Sequence, residues 1–374
     1  MFPTKLLGIA PSQLVNAAGN TVFVAEAGGT VSAVDLTSSQ VSRIGQGVSV
    51  PITCLTSYSG RESTTSDANT QSVFAGSWDK NITRFSWNQD PATTNPKSSQ
   101  RSFKAHNDFV KCLLVAPTPD KQTVLISGGA DGDVNIWTVE GKRFASLKPQ
   151  SRGIEHLALD PLSSHEAPRV FFSTSQREIY SFELPPINTP HTGSIKISAP
   201  IIQHETSVYK LEFDNDGDLW TASADKTAKR LVRENNFVAD TTLTHPDFVR
   251  DIVIFEPSSL AITACRDEEV RVWNSGTSQL LHIFSGHFDE VTSLAVIGNM
   301  VISVSIDATL RKWSLAPTDL KKAIEESKTP KLLEQVPEPQ NDFDRLTEEE
   351  EAALRALMED EEAEALEKMA EGEQ

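Results

Sequence analysis

Apolar and polar positions alternate at period two through most of the chain. Val291-Thr292-Ser293-Leu294-Ala295-Val296 alternates as a strand does, Gly298-Asn299 interrupts it, and Met300 to Ser305 resumes it. Asp307-Ala308 breaks the pattern again before a third run from Thr309 to Ser314. β-Branched and apolar residues at this period, broken by Gly, Asn and Asp, are strand and turn signals. No long amphipathic helical pattern appears before about residue 318. The grammar then repeats. An Asp precedes a Trp by six residues at Asp131/Trp137, Asp267/Trp273 and Asp307/Trp313. The same offset joins Asp79 to Phe85 and Asp225 to Leu231, and weaker copies run from Gln176 to Phe182 and from Gly28 to Val34. The anchors at 28, 79, 131, 176, 225, 267 and 307 are 40 to 52 residues apart. Seven units of this length, each built of short strands, predict an all-β repeat architecture.

The residues that carry the repeat resemble the WD40-repeat family. They are His106…Asp131…Trp137, His245…Asp267…Trp273 and Gly286-His287…Asp307…Trp313, with His204…Asp225 following the pattern without its Trp. The resemblance covers roughly residues 4 to 316 and implies a seven-bladed β-propeller of four-stranded blades. The first and fourth units depart most from the pattern. The expected organisation is a propeller over 1–316, a linker over 317–345 with a short helix at 318–326, and an acidic, partly helical C-terminal tail over 346–374.

His, Ser or Thr, and Asp in one repeat invite a catalytic reading. The resemblance implies a structural one: in this family the turn Asp holds a His ring, which contacts a hydroxyl on the second strand, which reaches the Trp indole. The hydroxyls lie four residues before each Asp, so the sets are His106–Ser127–Asp131–Trp137, His204–Thr221–Asp225, His245–Thr263–Asp267–Trp273 and His287–Ser303–Asp307–Trp313. Such chains satisfy polar groups between blades that would each cost about 1–3 kcal/mol if left unpaired. No catalytic residue is expected, and no cofactor or metal. Asp214-Asn215-Asp216-Gly217-Asp218 begins like a calcium loop, but its Gly falls at position four and position twelve is Asp225 rather than Glu. It reads as a turn between a blade's first two strands. Gly28-Gly29 and Gly128-Gly129 sit in strand and turn contexts, not ahead of a helix, and are not phosphate loops.

Ring closure has two readings. Lys5 to Ala10 resembles Gln279 to Phe284, the expected outer strand of blade six, so residues 4–10 are expected as the outer strand of blade seven, with blade one starting near Gln13. The alternative is that Lys331-Leu332-Leu333-Glu334-Gln335-Val336 supplies that strand. Polar stretches over 59–71 and 88–102 are expected as loops in blades two and three, and 184–200 as a link between blades four and five. In the tail, Thr347 with Glu350 three residues on is a capping box. Leu354, Leu357 and Met358 share one face of the expected helix and are its candidate docking anchors.

Charge narrows the partners. The chain carries 52 acidic and 34 basic residues, −18 net, and residues 341–374 alone hold 14 acidic against 3 basic. That argues against direct nucleic-acid binding through a general basic field. Three scattered cysteines, Cys54, Cys112 and Cys265, form neither a disulfide framework nor a Cys-x-x-Cys pair. No apolar run reaches the roughly 18–20 residues of a membrane span, and the N-terminus lacks the pattern of a secretory signal. An intracellular protein, cytoplasmic or nuclear, is expected. In the family, residues before each turn Asp and those opening each first strand face the top of the propeller. Here they include Trp78, Phe109, Phe248, Arg266, Phe288 and Glu290, rich in the residue types that dominate interface energy. The expected function is a non-enzymatic scaffold, monomeric as a propeller, that binds other proteins through this face and the tail. The alternatives are a substrate receptor in a ubiquitin pathway, and a chromatin or ribosome-assembly factor holding a basic partner. Against one form of the first, no Trp-Asp-x-Arg ends a blade: Trp137, Trp273 and Trp313 precede Thr, Asn and Ser.

Overall fold

A computed structural model of the chain describes residues 6–11, 21–46, 50–61, 69–88, 98–188 and 195–328. They fold into seven antiparallel sheets, taken in chain order. Blade one holds β1 (Leu6–Pro11), β2 (Thr21–Glu26), β3 (Thr30–Asp35) and β4 (Val41–Gln46). Blade two holds β5 (Ile52–Arg61), β6 (Asn69–Ser77), β7 (Asn81–Asn88) and β8 (Ser98–Lys104). Blade three holds β9 (Val110–Pro117), β10 (Thr123–Gly129), β11 (Val134–Thr138) and β12 (Arg143–Leu147). Blade four holds β13 (Ile154–Leu159), β14 (Arg169–Thr174), β15 (Glu178–Glu183) and β16 (Ile201–Ile202). Blade five holds β17 (Val208–Phe213), β18 (Leu219–Ser223), β19 (Thr227–Val232) and β20 (Val238–Thr244). Blade six holds β21 (Val249–Phe255), β22 (Leu260–Cys265), β23 (Val270–Asn274) and β24 (Leu280–Phe284). Blade seven holds β25 (Val291–Ile297), β26 (Met300–Ser305) and β27 (Leu310–Ser314) among the described residues, and α1 (Pro317–Lys328) follows. Each sequence anchor lies in the turn between its blade's second and third strands, as the six-residue offset requires. Among the described residues no helix is long and apolar enough to cross a membrane.

The turn chemistry explains the anchors. Asp79, Asp131, Asp225 and Asp307 each accept the backbone N–H two residues on, at 3.0, 3.2, 3.0 and 2.7 Å. That is the local bond that makes Asp a turn former. The residue after each Asp turns left-handed: Lys80, Gly132, Lys226, Glu268 and Ala308 all have φ between 63° and 79°. Gly129 is required for a different reason. A Cβ there would stand 2.4 Å from His106 Nδ1 and 2.5 Å from an Asp131 oxygen.

Hydrophobic cores fill the seams between blades rather than a single centre. Val22 and Val24 of blade one pack with Ala295, Ile302 and Val304 of blade seven, closing the ring by burial. Phe172 and Phe182 join blade four to Ile126 and Ile136 of blade three. Trp220 of blade five packs with Trp273 of blade six. Leu320 and Ile324 of α1 rest on the seam of blades six and seven, and the compact unit runs to Glu325, past the boundary at 316 read from the sequence.

Three expectations are corrected. Residues 6–11 are not the outer strand of blade seven: β1 pairs with β2, from Leu6 against Glu26 to Pro11 against Val22, and forms the inner strand of blade one. Similarity to Leu280–Phe284 reported only apolar pattern, and pattern does not choose a pairing partner. Blade one therefore does not begin near Gln13. The stretch 88–102 belongs to blade two, where Ser98–Lys104 is already its outer strand against β7. The stretch 184–200 does not link blades four and five; it connects β15 to β16 within blade four, with Ile197 bridged to Phe182. The alternative closing strand over 331–336, and the tail with Leu354, Leu357 and Met358, lie outside the described residues.

Candidate functional site

Two complete hydrogen-bond chains join strands within blades three and seven. His287 Nδ1 lies 3.0 Å from Asp307, its Nε2 2.7 Å from Ser303 Oγ, and Trp313 Nε1 donates to that Oγ at 2.8 Å. His106 repeats this with Asp131 at 2.9 Å, Ser127 at 2.8 Å and Trp137 at 2.9 Å. A carboxylate only accepts, so Nδ1 carries the proton and Nε2 accepts from the hydroxyl. Protons thus run one way, from Trp through Ser and His to Asp. In blade five, His204 meets Asp225 and Thr221 at 2.7 Å each. Leu231 stands fully buried in the Trp position.

Blade six departs from the expected set. His245 Nε2 meets Thr263 at 2.8 Å and Trp273 donates to Thr263 at 2.9 Å, but His245 Nδ1 donates to the Leu243 carbonyl at 3.1 Å. Asp267 is not part of that chain. It is held by Arg271 at 2.9 and 2.5 Å, a charge-assisted pair. Burial, then the Arg271 charge, pulls His245 down to about 4. Burial also lowers His287, although Asp307 works against it. For Asp307 burial pushes upward, yet the Phe288 and Thr309 N–H groups and the Thr309 hydroxyl bring it down to about 2. All four chain histidines are buried.

The calcium-like loop is a turn. Asp214 accepts from the Asp218 N–H at 2.8 Å and from Trp220 Nε1 at 3.0 Å, while Asp218 accepts from the Arg233 N–H at 2.8 Å. Those carboxylates point to neighbours rather than to a common centre. The cysteines are free thiols, with Cys54 pushed by burial to about 12 and Cys265 to about 11.

The exposed chemistry gathers at the mouth of the central channel. Every blade's first strand slips register near its start, between Leu6/Gly8, Ile52/Cys54, Val110/Cys112, Ile154/His156, Val208/Lys210, Val249/Asp251 and Val291/Ser293. A bulge leaves one residue unpaired and re-aims its side chain. The bulged residues Thr53, Lys111, Glu155, Tyr209, Arg250 and Thr292 all line a cavity of about 1030 Å³, with Trp78 and Phe109. Lys111 pairs with Glu155. Arg250 lies over the Tyr209 ring, 4.4 Å from its centre, and pairs with Glu290 at 2.5 Å. Sequence reasoning missed these positions. Their signal is a fixed offset, five residues after the chain histidine, at Lys111, Tyr209, Arg250 and Thr292.

Of the expected top-face residues, Trp78 and Phe109 line this cavity and Glu290 pairs with Arg250 of its lining, and the six differ in exposure. Trp78 is 57% exposed and Phe288 78%, whereas Phe109, Phe248 and Glu290 are half-buried and Arg266 is exposed. Trp78 and Phe109 form one tilted pair with ring centres 6.1 Å apart. Phe248 carries Arg266 at 5.4 Å, and Phe288 carries Arg311 at 5.8 Å.

Deeper in the channel, polar side chains staple one blade to the next. Lys210 of blade five reaches Asp251 of blade six at 3.2 Å, and Asp251 accepts from Ser293 Oγ at 3.0 Å and the Leu294 N–H at 2.9 Å in blade seven. His156 of blade four accepts the Leu211 N–H of blade five at 3.4 Å, which needs a neutral ring. Burial first, then Lys210, holds His156 well below its usual range.

Comparison with known proteins agrees with this architecture. The family description "WD domain, G-beta repeat" matches residues 97–138 and 278–314, which span β8–β11 and β24–β27 with their connections. A protein of Schizosaccharomyces pombe described as an uncharacterized WD repeat-containing protein is 31% identical over 300 residues, 79% of this chain and 75% of its own length. The chain belongs to the WD-repeat family. Striatin of Homo sapiens is 22% identical over 57% of this chain and 29% of its own length. Telomerase protein component 1 of Mus musculus is 25% identical over 51% of this chain but only 7% of its own length. To those two proteins the similarity spans a minor part.

Proposed function

We propose that the protein is a non-catalytic interaction scaffold, a WD-repeat subunit of a multiprotein complex, whose partner sits on the channel mouth. The observation that supports this most is the exposure of the large aromatics Trp78 and Phe288, with Trp78 and Phe109 paired at the channel. Burying such aromatics under a partner is a large gain for a small area, and Trp, Tyr and Arg dominate binding energy at interfaces. Side chains that look catalytic are spent on the strand-joining chains, which agrees with a binding role. WD-repeat relatives whose printed names describe a component of a larger assembly, such as the telomerase protein component, support the same reading.

The test is affinity purification of the tagged full chain beside Trp78→Ala/Phe248→Ala. Trp78 is exposed and Phe248 half-buried, and neither belongs to a seam core, so the double variant is expected to keep its melting temperature and lose a co-purifying partner. Retained partners with an unchanged fold sink the top-face assignment. The tail supports a second contact with a basic partner, because residues 341–374 carry 14 acidic and 3 basic residues. That contact is expected to weaken steeply between low and high salt, and to vanish in a chain ending at Gln340.

A further inference from the structure

Three aromatic side chains line the cavity at the channel mouth. Trp78 of blade two and Phe109 of blade three pair on one side, with ring centres 6.1 Å apart. Tyr209 belongs to blade five, three blades on from Trp78, and so stands on the far side of a ring of seven. Trp78 leaves 57% of its surface bare. The charged side chains of the same lining are matched within the ring. Lys111 of blade three pairs with Glu155 of blade four, and Arg250 of blade six with Glu290 of blade seven at 2.5 Å. Lower in the channel the Lys210 ammonium serves both Asp251 at 3.2 Å and Glu212 at 3.8 Å. Asp214 is held by the Asp218 N–H and by Trp220 Nε1. Two of the three aromatic faces already carry a cation: Lys111 lies 5.9 Å from the centre of the Phe109 ring, and Arg250 4.4 Å from that of Tyr209.

We propose, resting on the reading of the channel mouth as the partner's seat, that the partner protein enters this cavity with an uncharged apolar side chain, aromatic or branched aliphatic. A basic side chain at the same place is brought up against Lys111 and Arg250, on ring faces already taken. An acidic one is brought up against Glu155 and Glu290, whose cations are already engaged. Either charge gives up water and gains no free counter-charge, and a buried charge without a partner is costly. An apolar side chain meets no such cost. It removes the bare face of Trp78 from water, a gain of about 25 cal/mol per Å² of apolar surface, and an aromatic one adds offset or edge contacts to the Trp78–Phe109 pair.

The experiment selects peptides from a random-sequence display library on the immobilised full chain and measures Kd for the strongest binder as a synthetic peptide. The expected binder has one apolar residue whose replacement by Ala, Lys or Glu weakens binding at least about tenfold in each case. Trp78 is exposed and outside the seam cores, so Trp78→Ala is expected to weaken binding by a similar factor at an unchanged melting temperature, and Trp78→Phe to restore most of it. Raising salt from about 50 to about 500 mM is expected to change Kd by less than about twofold, because no new ion pair forms. A binder that accepts Lys or Glu at its anchor, or whose affinity falls steeply with salt, overturns the uncharged anchor; if Trp78→Ala still weakens it, the mouth stands as the seat. A binder indifferent to Trp78→Ala overturns the anchor and the seat together, and a library that yields no binder overturns the anchor as well.

Discussion

Stability is expected to fall as the pH drops from 7.5 to 5, and His245 carries a defined share of that loss. In the folded chain its Nδ1 donates to the Leu243 carbonyl and its Nε2 accepts from Thr263, so a second proton removes the acceptor and adds a charge beside Arg271. Burial and Arg271 bring the group down to about 4, against about 6.5 when unfolded. Between these values the unfolded chain binds more protons, so stability rises with pH across that window and is fully present above 6.5. At pH 5 the unfolded ring is almost wholly protonated and the folded ring almost wholly neutral, a penalty of about 2 kcal/mol from this residue alone. The assay is urea unfolding of wild type and His245→Gln at pH 7.5 and 5.0. Wild type is expected to lose about 2 kcal/mol more than the variant over that interval. His156, His282 and His287 are shifted downward as well and add to the loss in both proteins. Arg271→Met is expected to shrink the His245 share, because it removes the repelling charge and frees Asp267. Equal pH dependence in wild type and His245→Gln refutes the reasoning.

Three other outcomes follow from particular contacts. His287→Ala removes two hydrogen bonds and opens a cavity between β26 and its neighbours, so a loss of about 2–4 kcal/mol is expected by chemical denaturation, and an unchanged melting temperature contradicts the structural role. Asp251→Ala leaves Lys210 without its 3.2 Å partner and orphans the Ser293 hydroxyl and Leu294 N–H, which is expected to cost about 3–5 kcal/mol in the same assay. Deleting residues 1–11 removes the inner strand of blade one, so the truncated chain is expected to lose its cooperative unfolding transition; a transition at the wild-type temperature contradicts the β1–β2 pairing.

The repeat was legible because its signals are local. A turn Asp is fixed by a bond to the N–H two residues on, and the Trp, the fourth residue of the next strand, by a bond to a hydroxyl ten residues back across the hairpin. A single sequence therefore located all seven turns, including the degenerate ones at Gly28 and Gln176. The outer strands and the ring closure were less legible. Residues 6–11 and 280–284 present the same apolar alternation, and their partners are chosen by seams that bring residues 22–24 against 295–304. The wiring of Asp267 was not legible from its motif alone. Arg271 is on the page of the sequence, but Lys229 and Arg311 occupy the same offset, and there the turn Asp stays with its His.

The channel-lining bulge residues stand at a fixed distance from the structural motif of the repeat. In blades three, five, six and seven a buried chain histidine precedes the inner strand, and the bulged residue stands five positions beyond it. The residue five positions beyond the histidine lines the channel in each of these blades. Lys111, Tyr209, Arg250 and Thr292 are chemically unrelated, although the histidines before them make nearly the same hydroxyl bond, at 2.7–2.8 Å. On the proposed reading, such an arrangement lets the bulge side chains carry the identity of a partner. It places Lys111, Glu155, Tyr209 and Arg250 beside Trp78 and Phe109 as the next residues to exchange, singly and in the folded ring, when a partner is in hand.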